Sequence, residues 1–126
     1  MTAGPVPLIL LVDDNAILLQ QAAHYLKERR LDVITNDSAF GVGRLLLRHK
    51  PDLAVLDVQM PGLDGEHLVE ALGQSGSLPP VIYYSAMEEE QLYQICKRRP
   101  GTSYVLKADG LPALFEAIQR RLNGEP

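Results

Sequence analysis

The sequence predicts one α/β domain, in which right-handed crossovers place helices on both faces of a parallel sheet. Short apolar runs alternate with longer amphipathic segments, which is the pattern of repeated β-α units. In an open α/β sheet the carboxyl ends of the strands border the ligand site, so the residue after each run is informative. Four runs end in polar residues: residues 8–12 before Asp13 and Asp14, 53–56 before Asp57, 81–84 before Ser85, and 104–106 before Lys107.

The first half of the chain contains three predicted strands and two predicted helices. The first helix covers residues 15–30, where apolar side chains recur on one stripe, and residues 32–35 form a short edge strand with little apolar content. The second helix covers residues 38–49, with Phe40 on its apolar side and two glycines that weaken its start. A proline and an aspartate end this helix before the third strand.

The second half predicts three more helices. A short third helix at residues 66–72 is followed by a loop rich in Gly, Ser and Pro at 73–80, which leads to the fourth strand. The fourth helix, at residues 88–99, begins with acids and ends with bases, as the helix dipole favours. The fifth helix, at residues 111–122, follows the fifth strand and completes a pattern of five β-α units.

Length and composition indicate a single globular domain. The 126 residues divide into an N-terminal extension (1–7), the domain (8–122) and a tail or linker start (123–126). The 12 basic and 16 acidic side chains give a net charge of −4, which argues against direct binding of nucleic acid. Cys96 is the only cysteine, which excludes a disulfide framework. Without a signal peptide or a transmembrane stretch, we expect a cytoplasmic protein that does not contact membranes.

The residues at the strand ends have the chemistry of phosphoryl transfer. Asp57 is placed to act as a nucleophile that carries a phosphoryl group as an acyl phosphate. Charges about 4 Å apart repel by roughly 4 kcal/mol at an effective dielectric near 20, so three carboxylates favour a cation. An oxygen-rich site of this kind suits Mg²⁺. Lys107 and Ser85 supply a positive charge and a hydroxyl for the phosphoryl oxygens.

These residues, at this spacing, resemble the receiver domains of two-component response regulators, the CheY-like superfamily. The resemblance covers nearly all of the chain, from residue 8 to residue 122. A tight turn with a proline and two glycines, residues 60–65, follows the acceptor-like aspartate. The matching residues are the pair Asp13 and Asp14, Asp57 with that turn, Ser85 and Ala86, Tyr104, and Lys107.

The resemblance implies a flavodoxin-like (βα)5 fold with strand order 2-1-3-4-5. It also implies that Asp57 accepts a phosphoryl group from the phosphohistidine of a histidine kinase or a histidine phosphotransfer protein, with Mg²⁺. Asp14 and Asp57 would bind the metal directly, Asp13 mainly through water, and the backbone carbonyl of Gln59 would complete the protein ligands. Such a domain catalyses its own phosphoryl transfer and autodephosphorylation, and we expect no turnover of a separate substrate.

The resemblance further implies a switch. Ser85 would move toward the phosphoryl oxygens and Tyr104 would follow it inward. The face of the fourth helix, fifth strand and fifth helix would then bind a downstream effector protein or a fused output domain differently. Gln59 and Met87 occupy positions that flank the route of the hydrolytic water and tune the phosphoryl lifetime, and we expect Met87 to shield the acyl phosphate.

The chain departs from the receiver pattern after Lys107. Receivers usually have a proline there, joined through a cis peptide, and this chain has Ala108. A cis bond before a residue other than proline costs about 2.5–4 kcal/mol. We therefore expect a trans or distorted peptide and a less firmly placed Lys107.

Other interpretations stay open at this point. The chain could be a pseudo-receiver, an interaction module that works without phosphorylation. A phosphatase of the haloacid dehalogenase type would need a second aspartate where Gln59 stands, and a nucleotide-binding protein would need a glycine-rich phosphate loop. Asp13 or Asp14 could cap the first helix, and Tyr104 could be a plain edge-strand aromatic. Five further residues are interpreted as structural, with Tyr83 and Tyr84 in the core and His24, His49 and His67 on helix surfaces.

Overall fold

The structure, a computed structural model, describes residues 5–60 and 78–125. The predicted third helix at 66–72, with His67, lies outside the described residues. So do residues 61–65 of the turn after Asp57, residues 73–77 of the following loop, and most of the N-terminal extension.

Five parallel strands form one sheet in the order β2-β1-β3-β4-β5. This order confirms the predicted flavodoxin-like, doubly wound fold. Two strands are slightly longer than their apolar runs, because Ser85 and Thr102 also pair in the sheet. The strands are β1 (Leu8–Val12), β2 (Asp32–Asn36), β3 (Leu53–Leu56), β4 (Val81–Ser85) and β5 (Thr102–Leu106).

Within the described residues four α-helices connect or follow these strands. They are α1 (Ala16–Lys27), α2 (Val42–His49), α3 (Glu89–Lys97) and α4 (Gly110–Leu122), with a short 3-10 helix at Lys107–Asp109. Thus α3 and α4 correspond to the predicted fourth and fifth helices, within two residues of the predicted bounds. In the described part of the chain, no helix combines the length and the apolarity that a membrane span requires.

The helices divide the core into two layers, one on each face of the sheet. Residues of α2 and α3 pack with Leu10, Leu56 and Tyr83 on one face. Residues of α1 and α4 pack with Leu11, Val55 and Tyr84 on the other. Because helices cover both faces, nearly all residues of the three inner strands β1, β3 and β4 are buried, and this explains the continuous apolar runs of those strands. Tyr83 and Tyr84 are core residues, as predicted.

Helix α1 begins and ends through specific backbone arrangements. The Asn15 side chain caps its N-terminus by accepting a hydrogen bond from the Leu18 N–H at 3.1 Å. The capping role left open for Asp13 or Asp14 therefore belongs to Asn15. The helix ends at Lys27, three residues earlier than predicted, because Arg30 adopts a left-handed φ of 66°.

Helix α2 begins at Val42, and the prediction of a start at residue 38 was wrong. Gly41 adopts a left-handed φ of 84°, and the Asn36 side-chain amide donates hydrogen bonds to the carbonyls of Ser38 and Phe40. These contacts hold residues 38–40 in a turn. Phe40 is consequently 91% exposed and does not belong to the apolar stripe of the helix.

We expect Leu92→Ala to lower the free energy of unfolding by about 2–5 kcal/mol, because it opens a cavity under α3 where Leu92 is fully buried. Urea denaturation followed by circular dichroism measures the change. The matched variant Leu47→Ala removes the same atoms from a side chain that is 59% exposed, and we expect a loss of no more than about 0.5 kcal/mol. Equal losses in both variants would contradict this description of the core.

Candidate functional site

The sheet brings the predicted site residues together at the carboxyl ends of its strands. Val12 at the end of β1 pairs with Leu56 at the end of β3, so Asp13 and Asp57 leave adjacent strands side by side. On the other side of β3, Ser85 ends β4 and pairs with Leu106, which immediately precedes Lys107. The four strand ends therefore border one site.

Three carboxylates form an acidic cluster at this edge. One oxygen each of Asp13, Asp14 and Asp57 lies within 4.8 Å of the others. Asp13 and Asp57 are buried, with 5% and 4% of their surface exposed, and Asp14 is exposed. A cluster with oxygen donors alone and one side open to solvent fits a hard divalent cation that keeps part of its water shell.

Lys107 bridges the two buried carboxylates. Its Nζ lies 2.7 Å from Asp13 Oδ2 and 2.8 Å from Asp57 Oδ2. Both contacts are charge-assisted and largely shielded from solvent, because only 22% of the Lys107 side chain is exposed. Thus one ammonium group joins the ends of β1, β3 and β5.

The Lys107–Ala108 peptide is trans, since the described residues contain no cis peptide bond. This agrees with the expectation from Ala108. Lys107 nevertheless reaches both carboxylates with its ammonium group, and the further expectation that it is less firmly placed stays a prediction. Residues 107–109 form a 3-10 helix that leads directly into α4.

The charge of Lys107 is maintained by these contacts. Burial alone would lower the pKa of Lys107, but hydrogen bonds and charge attraction from Asp13 and Asp57 outweigh it, and the pKa is raised. The ammonium group therefore remains protonated at neutral pH and offsets part of the negative charge of the cluster.

Backbone N–H groups fix the remaining carboxylate oxygens. Asp13 Oδ1 accepts a hydrogen bond from the Asn15 N–H at 2.9 Å. Asp57 Oδ1 accepts one from the Gln59 N–H, also at 2.9 Å. Each buried carboxylate thus has one backbone donor and the Lys107 ammonium, and its orientation is set before any ligand arrives.

Ser85 lies beside the cluster but is engaged elsewhere. It is fully buried, and its Oγ accepts a hydrogen bond from the Met87 N–H at 3.2 Å. The hydroxyl faces Gln59 Oε1 at 3.5 Å, which is a long contact. Within residues 5–60 and 78–125, no hydrogen bond joins Ser85 to Asp57 or Lys107.

Tyr104 lies on β5 and reaches the surface. Its hydroxyl donates a hydrogen bond to Glu89 Oε2, in the first turn of α3, at 2.9 Å. That hydrogen bond is the largest cause of a raised pKa for the Tyr104 phenol. The ring also packs against the core layer under α3.

The structure therefore assembles most of the predicted site. Lys107 contacts Asp13 and Asp57, Asp14 lies beside these two carboxylates, and Ser85 and Gln59 adjoin them. Met87 contributes its backbone N–H to Ser85, and its side chain packs against the core. Neither His24, which lies 3.5 Å from Glu28, nor His49 belongs to the site, and both are exposed as predicted.

The sequence alone did not identify two residues of the site region. Asn15 fixes the Asp13 carboxylate, and its position just before an apolar helical stripe is a recognisable N-cap signal. Glu89 binds Tyr104 across 15 positions of the chain. No local pattern predicts that pair, because it depends on how α3 packs beside β5.

Comparison with known proteins identifies the same family. The response regulator receiver domain family matches residues 9–119. The transcriptional regulatory protein PdtaR of Mycobacterium tuberculosis is 27% identical over 120 residues, which cover 89% of this chain and 57% of PdtaR. The transcriptional regulatory protein LiaR of Bacillus subtilis is 27% identical over 122 residues, covering 94% of this chain and 57% of LiaR. The chain thus spans little more than half the length of these curated relatives.

Solved structures share the fold. The signal receiver domain of the putative response regulator NarL from Mycobacterium tuberculosis aligns with a TM-score of 0.84 at 23% identity, over 97% of this chain and all of that one. The chemotaxis protein CheY4 of Vibrio cholerae aligns with a TM-score of 0.83 at 21% identity, over 92% of this chain and 98% of that one.

We expect Glu89→Ala to lower the pKa of Tyr104 toward its ordinary value of 10.0. The substitution removes both the acceptor that stabilises the protonated phenol and a negative charge that opposes the phenolate. The pKa is measured by NMR titration of the tyrosine rings, with Tyr104→Phe to assign the signal. Glu116→Ala, which removes an exposed carboxylate from α4, is the control, and an unshifted Tyr104 pKa in Glu89→Ala would contradict the contact.

Proposed function

The chain belongs to the response regulator receiver domain family, and we propose that it is a phosphorylation-activated switch of a two-component phosphorelay. Asp57 accepts the phosphoryl group from the phosphohistidine of a histidine kinase or a histidine phosphotransfer protein. The observation that carries this proposal is the bridge from Lys107 to both Asp57 and Asp13, beside the exposed carboxylate of Asp14.

Asp57 is the nucleophile of the proposed transfer. A carboxylate oxygen of Asp57 attacks phosphorus, the P–O bond forms as the P–N bond breaks, and the imidazole nitrogen leaves with the bonding electron pair. The Gln59 N–H and the Lys107 ammonium hold the carboxylate in a single orientation, which lowers the entropic cost of reaching an in-line geometry. Lys107 also places positive charge where phosphoryl oxygens gather.

Residues of the acidic cluster would hold Mg²⁺. We assign direct ligation to Asp14 and Asp57, ligation mainly through water to Asp13, and one ligand to the backbone carbonyl of Gln59. When bound, the ion neutralises charge on the phosphoryl oxygens and the carboxylates. The mutual proximity of the three carboxylates and their oxygen-only chemistry support this assignment.

Ser85 and Tyr104 are the proposed switch residues. The Ser85 hydroxyl is buried next to the site, and its Oγ accepts a hydrogen bond from the Met87 N–H. As a donor it has only the long contact with Gln59, so little energy opposes turning the O–H toward a phosphoryl oxygen. Tyr104 is held at the surface by one hydrogen bond to Glu89, which its inward movement would break. Phosphorylation would then shift a pre-existing equilibrium between the two arrangements.

The surface that reports the switch is the face made by α3, β5 and α4. A groove of about 390 Å³ runs along it, with Tyr104, Val105 and Leu106 of β5 among its lining residues and Glu89 at its side. Tyr104 belongs to both the switch and this groove, so its rotation would change the surface offered to an effector. PdtaR and LiaR are transcriptional regulatory proteins, and this chain covers 57% of each. Both facts support an effector for this domain, either fused or separate.

Gln59 and Met87 are assigned to the control of phosphoryl lifetime. The Gln59 side chain lies between the site and Ser85 and is exposed, where water has access. Met87, two residues after Ser85, is half-buried. The absence of charge on both side chains leaves no general base at these positions to activate a water molecule.

A cytoplasmic location is part of the same proposal, because cytoplasmic phosphohistidine proteins are the donors. The alternative, a pseudo-receiver that binds partners without phosphorylation, is kept as an outcome of the test below. Every charged group that the transfer requires is present and in contact, which favours the phosphorylated switch.

We expect the protein to gain one phosphoryl group when it is incubated with acetyl phosphate and Mg²⁺, as measured by intact mass. Asp57→Asn should abolish the gain, because it removes the nucleophile, and omission of Mg²⁺ should have the same effect. Asp32→Asn, which changes an exposed aspartate at the start of β2, should leave the gain intact. A folded protein with no gain would support the pseudo-receiver, and a gain that persists in Asp57→Asn would exclude Asp57 as the acceptor.

We expect Met87→Ala to shorten the half-life of the phosphorylated protein at least about twofold, which corresponds to a barrier lower by ~0.4 kcal/mol. The shorter side chain would leave the acyl phosphate more open to water. Loss of phosphoryl-dependent mass over time measures the rate. Tyr93→Ala, which truncates an exposed side chain of α3, is the control, and an unchanged half-life in Met87→Ala would remove Met87 from this role.

A further inference from the structure

Helix α2 and the turn before it present an unusual outer face. Phe40 is 91% exposed and Leu47 is 59% exposed, two of the most exposed large apolar side chains in the described residues. Arg44 and Arg48 are exposed on the same helix. We refer to Phe40, Arg44, Leu47 and Arg48 as the α2 surface.

The helical geometry places three members of this surface together. Arg44, Leu47 and Arg48 are separated by three and four residues, so their side chains are neighbours on one stripe. The opposite side of the helix carries the buried residues Val42 and Leu46. Phe40 immediately precedes the N-cap residue Gly41, at the end of the stripe where Arg44 lies.

Three members of the α2 surface are unfavourable for the stability of the folded chain. Arg44 lies in the first turn, where the helix dipole favours acids, and that turn contains no acid and no side-chain cap. Phe40 and Leu47 expose apolar surface to water, and a polar residue at either position would avoid that cost. Departures from local preference that meet on one face are typical of functional sites. Arg48 and His49 differ, since bases in the last turn stabilise a helix.

The region around α2 carries an excess of positive charge. No residue from 38 to 51 is acidic, although the whole chain has a net charge of −4. In the part of the chain that the structure describes, Arg44, Arg48 and Lys50 form no ion pair. Their charge is therefore available to a ligand of opposite sign.

We propose that the α2 surface binds an acidic segment of a partner protein that carries at least one large apolar side chain. Carboxylates of the segment pair with Arg44 and Arg48, and its apolar side chain covers Leu47 and Phe40. Aromatic residues and arginine are enriched in protein interfaces, and this composition favours a protein over a nucleic acid or a lipid surface. Arg44 and Arg48, with Leu47 beside them, also do not form the long row of positive charges that binds a phosphate backbone.

This site is separate from the phosphorylation switch and from the groove along β5. Strand β2, which leads into α2, forms one edge of the sheet, and β5 forms the other. The proposal therefore stands whether or not Asp57 is phosphorylated.

NMR titration of the ¹⁵N-labelled chain tests the proposal. The probe is a synthetic helical peptide with leucine on one stripe and glutamate elsewhere. We expect its binding to shift the amide signals of residues 40–50. The same peptide with lysine in place of glutamate, phosphatidylglycerol vesicles and a single-stranded oligonucleotide should leave these signals unchanged. Failure of the acidic peptide to shift them, or binding of the vesicles or the oligonucleotide there instead, would overturn the proposal.

Variants separate binding from folding. Arg44→Glu should weaken peptide binding about tenfold, because it places like charges together. The same variant should unfold at an equal or higher temperature, because an acid is favoured in the first turn of a helix. Phe40→Ser should also weaken binding, and Lys27→Glu, a charge reversal on α1, should not. Equal affinity of Arg44→Glu and the unchanged protein would overturn the proposal.

Discussion

The contact of Lys107 with Asp13 and Asp57 is the interaction on which the site depends. Two carboxylates buried on adjacent strands repel each other and lose most of their hydration, and a positive charge between them offsets both costs. Lys107 supplies that charge from β5, on the far side of β4. The same contact joins three strand ends, so the electrostatics of the site and the packing of this edge of the sheet are coupled. A change at one of the three residues therefore alters the other two.

This arrangement forms although alanine, and not proline, follows Lys107. The position of the lysine side chain is set by its two partners, each within hydrogen-bond distance, and its backbone enters a 3-10 helix through a trans peptide. The trans peptide therefore does not keep Lys107 from reaching both carboxylates.

The sequence predicted the inner strands well because helices cover both faces of the sheet, which makes each inner strand a nearly unbroken apolar run such as the one at residues 53–56. It predicted the site residues because they directly follow those runs. The start of α2 was misplaced because side-chain hydrogen bonds from Asn36 compete with the first helical turn, and hydrophobic periodicity does not register them. The pair of Tyr104 and Glu89 was missed because two elements far apart in sequence create it.

The molecule offers two surfaces with opposite electrostatic character. The groove along β5 has the carboxylates of Glu89, Asp109 and Glu116 among its lining residues, whereas the region around α2 carries an excess of positive charge. Tyr104 links the groove to the site, but no described contact links the α2 surface to Ser85 or Lys107. A partner on the groove would therefore respond to the state of Asp57, and one on α2 would bind in either state. Such a division would let one small domain remain attached to one protein while it signals to another, because the two surfaces lie toward opposite edges of the sheet.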